Sequence, residues 1–318
     1  MGERQNRSDL ALRGRLLEHE LLSRHTSLKV GGAADIFAIP EDENDLLELV
    51  HWLDVREIPR FVIGGGYNML VRDGGVRGAV ISLERFTRIE LIDPSQRLLL
   101  TGSGAENLAV VRFAQERSLG GIGFIAGIPG TVGGAMKMNA GAYGSSILEW
   151  TRSLTLLRNG TIADYLVEEL DYGYRRLVLL PGDIILAALF RLEERDPQET
   201  EEEIRKDLDL RRSKHAVGHP SAGSFFKNPP GQAAWKVIDQ AGLRGASVGG
   251  AQVSEVHSNF LINRGGATAN DFLELAALVK ERVKAVTGVD LEEEVRVVGE
   301  ETKKIIEPRR HKERKVNR

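Results

Sequence analysis

The sequence predicts an α+β fold spread over two or three domains. The chain has 318 residues, and domains typically run to about 100–200 residues each. Short apolar runs of strand length recur among segments whose apolar residues repeat at helical spacing. The 35 glycines exceed an average usage of roughly 7%. They gather in clusters without a collagen-like period, the pattern of backbone loops that approach a ligand closely.

The elements follow in order. Residues 41–55 read as a helix, with Leu46, Leu47, Leu49, Val50 and Leu53 on one face and Pro59 beyond its end. Residues 61–63 form a short buried strand that runs straight into Gly64, Gly65 and Gly66; residues 80–83 and 98–100 are further strands. Ser103 and Glu106 have capping-box spacing and open a helix to about Ser118, with Gly120 just beyond. Strands and turns follow over 153–192. Residues 196–212, highly charged with Pro197 near the start, read as a solvated helix at a domain boundary. Residues 232–241 are a helix ended by Gly242, and 259–263 a strand. Thr268 and Asp271 form a capping box with Asp in place of the usual Glu. Phe272, Leu275, Ala276, Val279, Val283 and Val286 then mark one helix face, closed by Gly288. The basic stretch 303–318 has almost nothing to bury and reads as a disordered tail. No internal repeat is visible.

Composition narrows the class. Hydrophobic residues make up 42% and charged residues 28%, ordinary for a soluble globular protein. A net charge of -3 gives no whole-chain attraction to nucleic acid or anionic membranes. Cysteine is absent, which removes disulfides, cysteine metal sites and thiol nucleophiles together and fits a reducing compartment. The first 15 residues lack the apolar core of a signal peptide, and apolar runs such as 184–190 are too short to span a bilayer. A cytoplasmic protein is the expectation. No histidine cluster or carboxylate spacing suggests a metal site.

Two segments carry the chemistry. In the first, a strand ends in Gly64, Gly65 and Gly66, followed by Tyr67, Asn68 and Met69. Three glycines let backbone N–H groups crowd a phosphate with no Cβ atoms in the way, although a tight turn accounts for them equally well. The segment is neither G-x-G-x-x-G nor a P-loop. The second holds Gly127, Ile128, Pro129, Gly130, Thr131, Gly133 and Gly134, then Asn139, Gly141, Tyr143 and Gly144. It makes a poor core element and suits a loop that wraps a large polar cofactor.

Together, "GGGYN" and "GIPGTVGGAMKMNAGAYG" resemble the FAD-binding half of the UDP-N-acetylenolpyruvoylglucosamine reductase family, within the wider vanillyl-alcohol-oxidase-like flavoprotein superfamily. "TSLKVGGAADIFAIP" (26–40) resembles the family's opening segment. "SAGSFFKNP" (221–229), "VSEVHSNFLIN" (253–263) and "LEEEVRVVG" (291–299) are similar to its substrate domain in order and spacing, with "YGYRR" (172–176) between. The resemblance spans about residues 20–300. It implies a two-part FAD-binding domain (20–90 and 91–205) and a C-terminal α+β substrate domain (206–301), flanked by an extension (1–19) and the basic tail (302–318). It also implies non-covalent FAD, NADPH as hydride donor and a UDP-sugar enolpyruvate substrate, in peptidoglycan precursor synthesis. No nucleic acid or membrane partner is expected, and a monomer is the default.

The family's reaction reduces an enolpyruvyl ether to a lactyl ether. Flavin N5 gives hydride to C3, charge develops at C2 and spreads into the carboxylate, and a proton is then delivered to C2. By resemblance, Ser224 is the proton donor and Arg175 faces the enolate carboxylate, to which a guanidinium presents a matching planar fork. Arg176 leaves an ambiguity that the Tyr-Arg dipeptide resolves toward Arg175. Glu294 is the third catalytic residue, able to donate a hydrogen bond if burial keeps it protonated; by themselves, three adjacent glutamates read as a solvated acidic turn. Lys227 and Asn228 are implied substrate contacts, and Lys214, with Arg212, falls where the family meets the UDP diphosphate. His257 and Asn259 read as structural, His215 as a surface residue. The chain departs from the family's usual residues at Tyr67 (serine), Leu177 (serine), Glu293 (proline) and His215-Ala216 (Gln-Pro). It lacks the extra loop that supplies a substrate tyrosine, which makes it the shorter form. The alternatives are another FAD-dependent oxidoreductase of the superfamily, or a non-catalytic nucleotide-sugar-binding paralogue, which only Tyr67 supports.

Overall fold

The computed structural model describes residues 10–302 apart from 143, 216 and 217, and leaves out the side chains of 207 and 210–215. The stretch expected to be a disordered tail lies outside the described residues. Strand β1 (Arg15–Leu21) pairs antiparallel with β2 (Ala33–Ile39). Helix α1 (Glu43–Val55) starts at Asp42, whose carboxylate accepts from the Asp45 amide at 3.0 Å, and buries Leu46, Leu49, Val50 and Leu53. Strands β3 (Arg60–Ile63), β4 (Met69–Val71) and β5 (Val76–Ser82) follow. β5 lies parallel between β2 and β3, giving the order β1-β2-β5-β3. Parallel strands covered on both faces read as continuous apolar runs, which is why 61–63 and 80–83 are visible in the sequence.

The middle of the chain holds β6 (Ile89–Asp93), β7 (Leu98–Gly102), α2 (Asn107–Gln115), α3 (Val132–Lys137), β8 (Thr151–Arg158), β9 (Thr161–Leu166), β10 (Tyr172–Gly173), β11 (Arg176–Leu177) and β12 (Ile184–Arg191). An antiparallel sheet runs β9-β8-β12-β7-β6. Val110, Val111, Val132, Met136, Leu154, Leu156 and Phe190 form its core, while Ile36, Leu46, Leu157, Ile184 and Leu186 join it to the first sheet. The capping box expected at Ser103 does not form. α2 starts after Glu106 with no side-chain cap. The backbone at Ser103 is already claimed, its amide donating to the Leu186 carbonyl and its carbonyl accepting from Gly133. Its hydroxyl is buried without a partner among the described residues.

The last third comprises α4 (Pro197–His215), β13 (Ser221–Ser224), α5 (Ala234–Gln240), β14 (Ser247–Val248), β15 (Ala251–Val253), β16 (Phe260–Asn263), α6 (Ala269–Thr287) and β17 (Arg296–Val298). α4 is less solvated than its charge suggests, because Ile204 is fully buried in the core of the middle part. The sheet runs β13-β16-β15-β14. Phe225, Phe226, Val237, Ile238, Leu261, Phe272, Leu275, Val279 and Val283 pack between it and the helices. The Thr268–Asp271 capping box forms as expected, and Gly288 closes α6 with φ +75°. Val286 does not belong to the buried face: it is 51% exposed, because the last turn runs past the core. Several links return to the first part, among them the following. β17 pairs parallel with β4, Arg296 opposite Met69. The Asp73 carboxylate accepts from the Ala269 and Asn270 amides at 2.8 and 2.9 Å, the first turn of α6. Among the described residues no helix is long and apolar enough to cross a membrane.

Candidate active site

The two glycine loops face each other. A Cβ on Gly64 would lie 3.0 Å from Thr131 Oγ1 and 3.8 Å from the Gly134 Cα and N. Gly66 adopts φ +65°, and a Cβ there would run into the His25 carbonyl. Among the described residues the amides of Gly65, Gly66 and Tyr67 donate to no acceptor, whereas those of Val132 and Gly133 donate to the Ala105 and Ser103 carbonyls at 2.9 and 2.8 Å. The Thr131 hydroxyl caps nothing. Free N–H donors between walls of bare backbone are the chemistry that holds a pyrophosphate, so these residues fit FAD. The Tyr67 ring lies across both loops, 2.7 Å from a Cβ built on Gly65 and 3.6 Å from one built on Gly130. Ile128 is half-buried, Pro129 exposed and Met69 buried. Gly141 pairs with Ser146.

Beside the cradle, β10 and β11 form a hairpin with Tyr174 and Arg175 as its loop, Gly173 opposite Arg176. Arg175 has φ +55°, a left-handed conformation that costs about 1–3 kcal/mol and persists only where the surroundings impose it. Here α3 and its exit do so. Asn139 Nδ2 donates to the Gly173 carbonyl at 3.0 Å, while its Oδ1 accepts from the Leu148 amide at 3.3 Å. Both ends of the Asn139 amide, expected to meet cofactor, are thus engaged by protein. Lys137 Nζ donates to the Leu177 carbonyl at 3.3 Å. Sequence reading passed over Lys137; its one signal is a lysine amid glycines and apolar residues. Burial and nearby Arg296 hold its ammonium below the ordinary lysine value, against the pull of Asp183. Leu177 packs in the core, so the departure from serine there is an apolar contact.

The hairpin separates the two arginines. Arg175 Nε stands 3.3 Å from Glu294 Oε1, with side-chain exposures of 25% and 15%. Arg176 turns outward to Asp171 at 2.9 Å, both more than half exposed. Glu294 reaches this position because its segment is laced to the turn after β13. The Lys227 amide donates to the Glu292 carbonyl and the Glu294 amide to the Phe225 carbonyl, each at 2.8 Å. Asn259 clamps the same turn, its Oδ1 accepting from the Phe226 amide at 3.0 Å and its Nδ2 donating to the Phe226 carbonyl at 2.8 Å. Ser224, half-buried, is thereby one residue from the Glu294 ladder. The Glu293 amide donates to nothing among the described residues, so glutamate in place of proline leaves the ladder intact. Burial pushes the Glu294 carboxyl above its ordinary value, against the opposing pull of Arg175 and Lys227.

Of the expected substrate contacts, Lys227 pairs with Glu292. Asn228 Oδ1 accepts from the Ala234 amide at 3.0 Å, capping α5. The side chains of Lys214, Arg212 and His215 lie outside the described residues, as does Ala216.

Comparison with known proteins agrees with this geometry. The family described as "FAD binding domain" matches residues 34–164, and "UDP-N-acetylenolpyruvoylglucosamine reductase, C-terminal domain" matches residues 215–298. A UDP-N-acetylenolpyruvoylglucosamine reductase from Pelobacter propionicus is 66% identical over 93% of this chain and 100% of its own length. One from Geobacter sulfurreducens is 50% identical over 93% of this chain and 98% of its own. The crystal structure of the Thermus caldophilus UDP-N-acetylenolpyruvylglucosamine reductase superposes with a TM-score of 0.78 at 35% identity, covering 89% of this chain and 99% of that one. The expected α+β architecture, an FAD-binding part followed by a C-terminal substrate domain, therefore holds, and the chain belongs to the UDP-N-acetylenolpyruvoylglucosamine reductase family of FAD-dependent oxidoreductases.

Proposed function

We propose that this protein reduces UDP-N-acetylglucosamine enolpyruvate to UDP-N-acetylmuramate with NADPH, a step of peptidoglycan precursor synthesis in the cytoplasm. The observation that carries the reading is the largely buried Glu294 carboxyl, 3.3 Å from Arg175 and laced through its backbone to the residue after Ser224. FAD, held without a covalent link, would supply the hydride chemistry that joins NADPH to the vinyl carbon C3 of the substrate. Gly64, Gly65, Gly66, Tyr67, Gly130, Thr131 and Gly134 would hold its pyrophosphate. Arg175 binds the substrate carboxylate through its fork and draws the developing charge toward it. Protonated Glu294 donates a hydrogen bond to the enolate, where an ionised carboxylate would repel it. Ser224 Oγ–H delivers the proton to C2; a hydroxyl is a weak acid, but an enolate carbon is basic enough once the two are in contact. Lys227 and Asn228 contact the substrate, and Lys214 its diphosphate.

The test is anaerobic stopped-flow. The holoprotein is reduced with NADPH and then mixed with UDP-N-acetylglucosamine enolpyruvate while the flavin absorbance is followed. Wild type should reoxidise rapidly. Ser224→Ala should keep NADPH reduction and lose reoxidation by about 100-fold or more, the contribution of a positioned proton donor. Wild type that is reduced and never reoxidised would remove the substrate assignment; unimpaired reoxidation in Ser224→Ala would remove the donor.

A further inference from the structure

Asn68 ends the first glycine loop, next to the free amides of Gly65, Gly66 and Tyr67. Its Nδ2 donates to the Glu294 carbonyl at 3.2 Å. Its own carbonyl accepts from the Arg296 amide at 3.1 Å. The two bonds bracket Val295 and grip the chain on the C-terminal side of Glu294, while the Phe225 carbonyl grips the amide of Glu294 itself. Asn68 Nδ2 also lies 3.6 Å from Met138 Sδ, one residue before the Asn139 that holds the Arg175 hairpin. Residues 226 positions apart in sequence thus meet through one side chain.

We infer that Asn68 is a positioning residue for Glu294: it latches the acid's backbone to the FAD-binding loop, so that the segment holding the cofactor also sets where the carboxyl stands. The inference rests on the proposed role of Glu294 as proton-holding donor. A contact serving only domain cohesion needs no particular partner. This one falls on the carbonyl of the residue whose side chain must stay dry beside Arg175. A shift of about 1 Å there costs a reaction roughly 100-fold. Coupling is reciprocal, so FAD that orders the loop also orders Glu294. Glu294 faces Arg175 from the hairpin and Lys227 from the turn after β13; on its own segment Glu292 pairs with Lys227, and Glu293 with Lys280 of α6.

The test uses the holoenzyme of Asn68→Leu, similar in shape with no donor, and of Asn68→Ser as a second, smaller change should the first misfold. Reoxidation by the enolpyruvate substrate is followed across pH, and FAD affinity is measured separately by fluorescence titration of apoprotein. In wild type the rate should fall as pH rises and Glu294 ionises. In the Asn68 variants that fall should begin at lower pH, because a loosened Glu294 reaches water and loses the burial that keeps its proton. The rate at neutral pH should drop by roughly 10- to 100-fold. An unmoved fall, whether FAD affinity weakens or not, overturns the inference and leaves Asn68 as a cofactor or packing residue. Glu294→Gln keeps Asn68 and separates the two readings. If it retains the wild-type fall with pH, the role of Glu294 fails and the inference with it; if it abolishes that fall while the Asn68 variants leave it in place, only the inference fails.

Discussion

Asn139 gives the sharpest test of how the Arg175 hairpin is held. It is 6% exposed, sits at φ +38°, and joins the Leu148 amide to the Gly173 carbonyl. Replacement by glycine or alanine strands both backbone groups. Each stranded buried group costs about 1–3 kcal/mol. The Gly173 carbonyl is only half-buried and regains some water, so the pair amounts to about 2–4 kcal/mol. The backbone adds a second cost. Glycine takes a positive φ freely, and alanine pays roughly 1–2 kcal/mol there; glycine's extra freedom in the unfolded chain returns about 0.5–1 kcal/mol of that difference. Asn139→Gly should therefore lose about 2–4 kcal/mol in urea unfolding at unchanged m, and Asn139→Ala up to about 1.5 kcal/mol more. Both should reoxidise more slowly with substrate than wild type, because Arg175 is no longer held, while reduction by NADPH changes less. A loss below about 1 kcal/mol in Asn139→Gly would refute the two-bond account. Alanine more stable than glycine would refute the backbone account.

Asp73→Ala removes the acceptor of two first-turn amides of α6. Loss of the cap costs about 1 kcal/mol and loss of the negative charge there about 0.3–1 kcal/mol more. Thermal denaturation should therefore show a fall of roughly 3–8 °C at about 2–4 °C per kcal/mol, and an unchanged midpoint would mean water replaces the carboxylate. Glu294 makes stability depend on pH in a defined sense. Its folded carboxyl binds the proton more tightly than the ordinary value near 4.5, so its contribution is complete below that value and is lost as pH rises through the raised one. Glu294→Gln should flatten this decline, gaining on wild type in urea midpoints at pH 8 relative to pH 5; a variant that declines as steeply as wild type would show that burial does not retain the proton.

Elements whose signals are local were legible. α1 and α6 carry their apolar stripe, their cap residues and, in α6, the closing Gly288 within the segment itself, and both fold accordingly. Elements decided by distant partners were not. β1 mixes charge and leucine because it is an edge strand, defined only by β2 opposite it. Ser103 and Glu106 have the right spacing for a cap, but β12 and α3 had already taken the Ser103 backbone. Val286 continues the α6 stripe in sequence and outruns the core in space.

The same division runs through the site. Glycine clusters announce bare backbone but not what stands opposite it, and Tyr67 could not be seen to span two loops. The glutamates at 292–294 show the limit most clearly. Alternation along an extended segment puts Glu292 and Glu294 on one face and Glu293 on the other, and the structure agrees, Glu293 turning to Lys280 of α6. Alternation makes Glu292 and Glu294 equivalent, yet Glu292 is 74% exposed and Glu294 15%. Lys227 acts on both, pairing with the outer carboxylate and pulling on the inner one. What distinguishes them is the Arg175 hairpin, more than a hundred residues earlier in the chain, which stands against the inner carboxyl alone. A fully solvated Glu294 beside Arg175 would simply ionise. Burial outweighs that pull and holds the carboxyl above its ordinary value, so its surroundings are a product of three separate segments meeting: the hairpin, the turn after Ser224 and the loop of Asn68.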